Sequence, residues 1–181
     1  AAGIAKGDEF ITSPLTFVAT ANAGLYLLGA KPVFADIDEH GNLDPKETAR
    51  KVTRKTKAIV AVDYGGFPAQ LQELKEIARR HNAVLIEDAC HALGAAYKGK
   101  KIGSLSDLSV FSFHPVKSIT TGEGGAVLTE RKAYDEKLKL FRTHGSTKKN
   151  LRHKSARDGE WYYEMQAPGC NYRLTDIQSA L

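Results

Sequence analysis

Short runs rich in β-branched and aromatic residues alternate with helical patterns along this chain. Glu9–Thr12, Pro32–Asp36, Lys57–Asp63, Ala83–Asp88, Ser109–His114 and Gly125–Thr129 read as strands. Thr16–Leu28, Pro45–Arg54, Pro68–His81, Arg131–Thr143 and the stretch from Leu174 onward read as helices. In Pro68–His81 the apolar residues Leu71, Leu74, Ile77 and Ala78 share one helical face. Pro45 and Pro68 stand where a first helical turn tolerates proline, and Asp44 is a good N-cap. Such alternation predicts an α/β fold, a three-layer αβα sandwich around a mostly parallel sheet. The unbroken apolar run Ala83-Val84-Leu85-Ile86 suits a strand buried on both faces. One connection departs from the pattern. Only residues 115–124 separate the last two strands. A parallel crossover usually needs about a dozen residues or more, so the last strand is expected to run antiparallel.

Composition narrows the class. The 181 residues are 42% hydrophobic and 26% charged, which is ordinary for a globular chain and excludes a disordered or collagen-like one. No run of about 18 apolar residues occurs, so no membrane span is expected. The opening AAGIAKGDEF has neither the basic start nor the apolar stretch of a signal peptide. The chain does not begin with Met, and the periodic Leu174, Ile177 and Leu181 run to its end, so it reads as part of a longer protein. Cys90 and Cys170 form no C-x-x-C pair, which points to a reducing, cytoplasmic setting, and no Cys/His spacing suggests a metal site. The excess of basic over acidic residues gives a net charge of +5 and concentrates in residues 142–157, with Arg142, Lys148, Lys149, Arg152, Lys154 and Arg157. A nucleic-acid patch is one reading. No aromatic ring interleaves these charges for base stacking, so a solvated, flexible loop facing a phosphate-bearing small molecule is preferred.

Ligands of open α/β sheets bind outside the carboxyl ends of the strands. Thr16 and Phe17 follow the first strand, Asp63 and Tyr64 the third, and Asp88 and His91 the fourth. Ser112, His114 and then Lys117 close the fifth. Taken singly, Asp88 could cap a helix, His91 and Phe17 could fill the core, and Lys117 could be solvated surface. Together they suit pyridoxal 5'-phosphate. That cofactor needs a lysine for its Schiff base, an acidic partner for its pyridine nitrogen, an apolar plane and phosphate donors. A carboxylate just beyond a buried strand calls for a cation, and a pyridinium N–H is one. The glycine- and hydroxyl-rich loop Ser118–Gly125 lets backbone approach a cofactor closely.

The segments T-F-V-A-T-A-N-A (16–23), E-D-A-C-H-A-L-G-A (87–95), F-S-F-H-P-V-K (111–117), G-E-G-G-A-V-L-T (122–129) and G-C-N-Y-R-L-T-D-I-Q-S-A-L (169–181) resemble the DegT/DnrJ/StrS family of sugar aminotransferases. The matches run in family order over nearly the whole chain. W-Y-Y-E (161–164) and the Lys117 loop look most like the family's pseudaminic-acid-pathway branch, which aminates a UDP-linked 4-keto-6-deoxy-N-acetylamino sugar.

The resemblance implies an aspartate-aminotransferase-like, fold type I large domain, of which residues 1–181 form a part. It implies Lys117 as the Schiff-base lysine and proton carrier, Asp88 against the pyridine nitrogen, and Ser112 on the phosphate. Phe17 takes the stacking position and His91 the place, often Gln, near the ring hydroxyl. Asn171 matches a residue that reaches the phosphate in the neighbouring subunit, which implies a homodimer with shared sites. L-glutamate is the implied amino donor. Relatives that dehydrate instead carry His in place of the lysine, so Lys117 argues for transamination. The family's upstream phosphate-binding turn and C-terminal small domain have no match here, so the isolated chain is not expected to turn over. The alternative is a non-catalytic module that keeps the fold, and the joint presence of Lys117, Asp88 and Ser112 speaks against it.

Overall fold

The computed structural model describes residues 1–181 and divides into two compact units, residues 2–130 and residues 131–180. The first unit is built on a six-stranded sheet. Its strands are β1 (Glu9–Thr12), β2 (Lys31–Phe34), β3 (Thr56–Val62), β4 (Val84–Asp88), β7 (Leu108–Ser112) and β8 (Gly125–Leu128). A short hairpin, β5 (Ala96–Tyr97) with β6 (Lys100–Lys101), lies between β4 and β7 in the chain. The sheet order is β2-β1-β3-β4-β7-β8. Every neighbouring pair is parallel except β7 and β8, so the short connection does reverse the last strand.

Helices lie on both faces. On one face, α2 (Pro45–Lys51) and α3 (Leu71–Arg80) cover Ile11, Ile59, Ala61 and Leu85, with Leu71, Leu74 and Ala78 of α3 fully buried. On the other, α1 (Val18–Leu28) sits over Phe10 and Ala58. The strand period of two sends alternate residues to these two layers, which gives the expected αβα order.

Boundaries moved where a side chain claimed a backbone group. Asp44 caps α2 as expected, its Oδ1 accepting the Lys46 N–H at 2.6 Å. That helix ends at Lys51 rather than Arg54, because Val52 turns extended and Thr53 N–H donates to Thr56 Oγ1. Pro68 lies before α3 rather than in its first turn, because Ala69 N–H is held by Asp63 Oδ1. The expectation for the fourth strand is corrected. Leu85 and Glu87 are fully buried, but Val84 and Ile86 are only half-buried. The reason is coverage: α1 packs over β1 and β2 and leaves the same face of β4 partly open.

The second unit holds α4 (Lys132–Phe141), the two-residue ladder of β9 (Ser146–Thr147) with β10 (Glu164–Met165), and α5 (Asp176–Ala180). Glu164 is buried and accepts the backbone N–H groups of Arg152 and His153 at 2.7 and 2.6 Å, and the Tyr162 hydroxyl at 3.2 Å. The basic segment, expected as a flexible loop, is thus pinned at its middle, with Arg152, His153, Lys154 and Arg157 exposed. No helix is long and apolar enough to cross a membrane.

Gly24 sets how closely α1 approaches the sheet. A Cβ there would run into the Phe10 ring. Overpacking of this kind costs about 1–3 kcal/mol, which exceeds the roughly 1 kcal/mol of helix propensity alanine would bring. Gly24→Ala is therefore expected to lower the unfolding free energy in urea, and Phe10→Leu in the same chain to recover part of the loss.

Candidate functional site

The carboxyl ends of β1, β3, β4 and β7 form one rim, and Asp88 is its centre. Asp88 is the last residue of β4, paired with Val62 of β3 and Val110 of β7. Its side chain points to the α1 face, where Thr20 donates its hydroxyl to Oδ2 at 3.0 Å. Thr16, just before α1, and Thr20 in its first turn share a hydroxyl hydrogen bond of 2.8 Å. Oδ1 accepts the Cys90 N–H at 3.3 Å. No helix follows β4, so Asp88 is not a helix cap. Both of its donors are neutral. A half-buried carboxylate so placed leaves the charge for a cationic ligand to meet.

The other expected residues are distributed around it. Phe17 precedes α1 and is 77% exposed, so its ring is a free apolar plane rather than core. His91 is exposed too, and not a core histidine. Ser112 ends β7, and its Oγ accepts the His114 N–H at 3.3 Å, leaving its own hydrogen to donate elsewhere. Lys117 is half-buried in the β7–β8 connection. That connection is tied to its own base. Phe113 N–H donates to Gly124 O at 2.9 Å, and Phe113 O accepts from Thr121 N–H and the Thr120 hydroxyl. Asp63, named from sequence among the strand-end residues, is turned away and fully buried beneath the opposite face. Asn171 lies in the second unit, bridged to Thr143.

Sequence reasoning missed Thr20. The signal was present in the i, i+4 threonines of T-F-V-A-T, but a threonine in a helix usually bonds to backbone. It also left Cys90 unassigned. Burial pushes the Cys90 thiol up to about 12; Asp88 adds to this and the positive charge of Lys117 opposes it. Lys117 and Asp88 thus act on one neighbour between them.

The arrangement offers a carboxylate, an amine, a hydroxyl and an aromatic face at one set of strand ends. Pyridoxal phosphate fits those residues: Asp88 lacks a cation, Phe17 lacks a covering group, and Ser112 has an unused donor. The comparison with known proteins agrees. Residues 1–181 match the family model described as the DegT/DnrJ/EryC1/StrS aminotransferase family. A Campylobacter jejuni protein named UDP-4-amino-4,6-dideoxy-N-acetyl-beta-L-altrosamine transaminase is 50% identical over 179 residues, 97% of this chain and 45% of that one. The Helicobacter pylori structure PseC, an aminotransferase of pseudaminic acid biosynthesis, superposes with a TM-score of 0.87 at 43% identity, over 97% of this chain and 45% of that one. An aminotransferase from Psychrobacter cryohalolentis superposes with a TM-score of 0.90 at 35% identity, over 99% of this chain and 45% of that one. The chain spans about half the length of the relatives it matches.

A thiol held as S–H is a poor nucleophile. Cys90 is expected to resist iodoacetamide at pH 8 in the folded protein and to react on unfolding. Peptide mass mapping checks this, and rapid native labelling of Cys90 would contradict its protonated, sheltered placement.

Proposed function

We propose that this chain, which belongs to the DegT/DnrJ/EryC1/StrS aminotransferase family, carries the cofactor-binding part of a pyridoxal-phosphate-dependent sugar aminotransferase. The enzyme moves an amino group from L-glutamate to C4 of a UDP-linked 4-keto-6-deoxy sugar, for pseudaminic acid or cell-surface glycan synthesis. What carries the reading is Asp88. It stands at the end of a central strand, held by two neutral donors, on the same rim as Phe17, Ser112 and Lys117. The substrate class follows the named activity of the relatives.

When bound, pyridoxal phosphate supplies an electrophilic aldehyde and a ring that accepts electron density. Asp88 would receive the ring N–H, with Thr20 and Cys90 N–H fixing the carboxylate's orientation. Phe17 would cover one face of the ring and exclude water from it. Ser112 would donate its hydroxyl to the phosphate. His91 would stand near the ring hydroxyl. Lys117 would anchor the aldehyde through Nζ and, once released, carry the proton at the sugar carbon. Its loop is hydrogen-bonded across its base, so the side chain does the moving. Asn171 would reach the phosphate of a second subunit in a homodimer. The apolar outer residues of α1, with Tyr26 76% and Leu27 69% exposed, suit such an association. The setting is the cytoplasm.

Borohydride trapping tests the assignment. With pyridoxal phosphate present, a phosphopyridoxyl group is expected on Lys117 and is expected to vanish in Lys117→Ala. Absence of any specific adduct there in the full-length protein would overturn the enzyme reading in favour of a non-catalytic module. In the full-length protein, Asp88→Asn is expected to lower turnover by about 10²-fold or more, the scale of losing one preorganised electrostatic partner.

The basic segment pinned by Glu164 suits the diphosphate of a nucleotide sugar, because Arg152 and Lys154 are exposed while the backbone beneath them is fixed. Neutralising both is expected to weaken sugar-nucleotide binding, with the effect shrinking at high salt. Unchanged affinity in an isothermal titration would remove the segment from the site.

A further inference from the structure

Two carboxyl side chains lie buried side by side behind Asp88. Asp63 and Glu87 both have 0% exposure. The parallel register sets Glu87 opposite Ala61, two residues before Asp63, so both point to the α3 face while Asp88 points to the other. One oxygen of each is satisfied. Asp63 Oδ1 accepts the Ala69 N–H at 2.9 Å, and Glu87 Oε2 accepts the Ser109 hydroxyl at 2.5 Å. The remaining two, Asp63 Oδ2 and Glu87 Oε1, are buried and receive no hydrogen bond from any other group. The charged groups acting on Asp63 are Glu87 and Asp88, both on β4. Ser109 approaches from β7, and α3 brings only Leu71, Leu74 and Ala78 to this face as buried residues. Two ionised carboxylates in such a place would be an uncompensated buried charge, among the costliest arrangements in a protein.

We propose that Asp63 and Glu87 share one proton, and that this pair positions the strand-end segment carrying Asp88 and His91. With the proton on Asp63, Oδ2–H donates to Glu87 Oε1. Both orphan oxygens are then satisfied by a single charge-assisted bond. Burial, together with the two neighbouring carboxylates, pushes the Asp63 carboxyl up to about 7 against the backbone hydrogen bond from Ala69. The geometry gives the pair its leverage. Asp63 N–H donates to Asp88 O at 3.0 Å, and Gly66 N–H donates back to Asp63 O at 3.0 Å. Asn42 holds the same loop, accepting the Tyr64 N–H at 2.9 Å and donating to Phe67 O at 3.1 Å. Gly66, at φ +87°, lies so close to the His91 carbonyl that a Cβ would come within 2.7 Å of it. A shift of the 63–69 loop therefore reaches Asp88 and His91 directly. The importance of those two residues rests on the aminotransferase reading; the sharing of the proton does not.

The sign of the pH effect follows from the raised value. Between the ordinary carboxyl range and about pH 7 the native state holds a proton that the unfolded chain has released. The stabilisation is complete below the unfolded value and is lost as pH rises through about 7. Asp63→Asn supplies the donated hydrogen bond at every pH, because its amide gives N–H to Glu87 and keeps its oxygen for Ala69. Asp63→Ala supplies neither.

The test compares wild type, Asp63→Asn and Asp63→Ala, each in the full-length protein, in two measurements. The first is Tm without cofactor from pH 5 to 8. Asp63→Asn is expected to gain on the wild type by several degrees as pH rises, whereas a constant difference would overturn the shared proton. The second is pyridoxal phosphate affinity by absorbance titration at pH 6 and 8.5. Asp63→Asn is expected to hold its affinity relative to wild type better at the higher pH, and Asp63→Ala to lose about tenfold or more. Unchanged affinity in Asp63→Ala would overturn the positioning role and leave the pair purely structural. If Asp63→Ala does not fold, the Asp63→Asn ratios decide both points. A wild type that binds no pyridoxal phosphate would overturn the aminotransferase reading and the positioning role with it, while the Tm comparison still decides the proton.

Discussion

The β3–β4 ladder ends on the hydrogen bond from Asp63 N–H to Asp88 O. Its register runs from Ala58 opposite Val84 to Val62 opposite Asp88 without a bulge. Because side chains alternate across a strand, this one alignment assigns every strand-end residue to a layer. Asp88 goes to the α1 side, within reach of Thr20. Glu87 and Asp63 go to the α3 side, within reach of Ser109 and Ala69. The rim and the buried pair are two faces of the same backbone, and neither could be moved without the other.

The far side of the rim is arranged differently. β8 returns antiparallel beside β7, and Gly125 pairs with Ser112 where a Cβ would meet the Phe111 carbonyl at 2.7 Å. The close return leaves residues 113–124 as a loop whose two ends are bonded to each other. Lys117 is carried on that loop, where its own N–H donates to the His114 carbonyl at 2.9 Å. The carboxylate stands at the end of a central strand and the amine on a loop closed at its base, and both act on Cys90.

Much of this was legible in the sequence. Period and composition located all six sheet strands within two residues, and the ten-residue spacing foretold the reversal of β8. Asp88 and Ser112 were placed at strand ends, and Lys117 in the connection that follows one, because strand ends are where side chains leave the ladder. What stayed hidden depended on partners far along the chain. The burial of Val84 and Ile86 was overstated, since a continuous apolar run does not say how far α1 extends across the sheet. Thr20 looked like an ordinary helical threonine until Asp88, 68 residues away, was seen to accept from it. Asp63 read as a rim carboxylate because its position after the strand was clear but its side of the sheet was not. The two-residue ladders at 96–101 and 146–165 carry too few residues to show any period.

The adjacency of Glu87 and Asp88 has a consequence for how the chain finds its structure. A strand that pairs one residue out of register sends each side chain to the opposite layer. In most strands that error exchanges apolar for polar residues. In β4 it would also drive Asp88 into the apolar layer under α3, away from Thr20, and lift Glu87 off Ser109. A single-residue insertion or deletion within β4 would therefore part Asp88 from Thr20 and Glu87 from Ser109 at once.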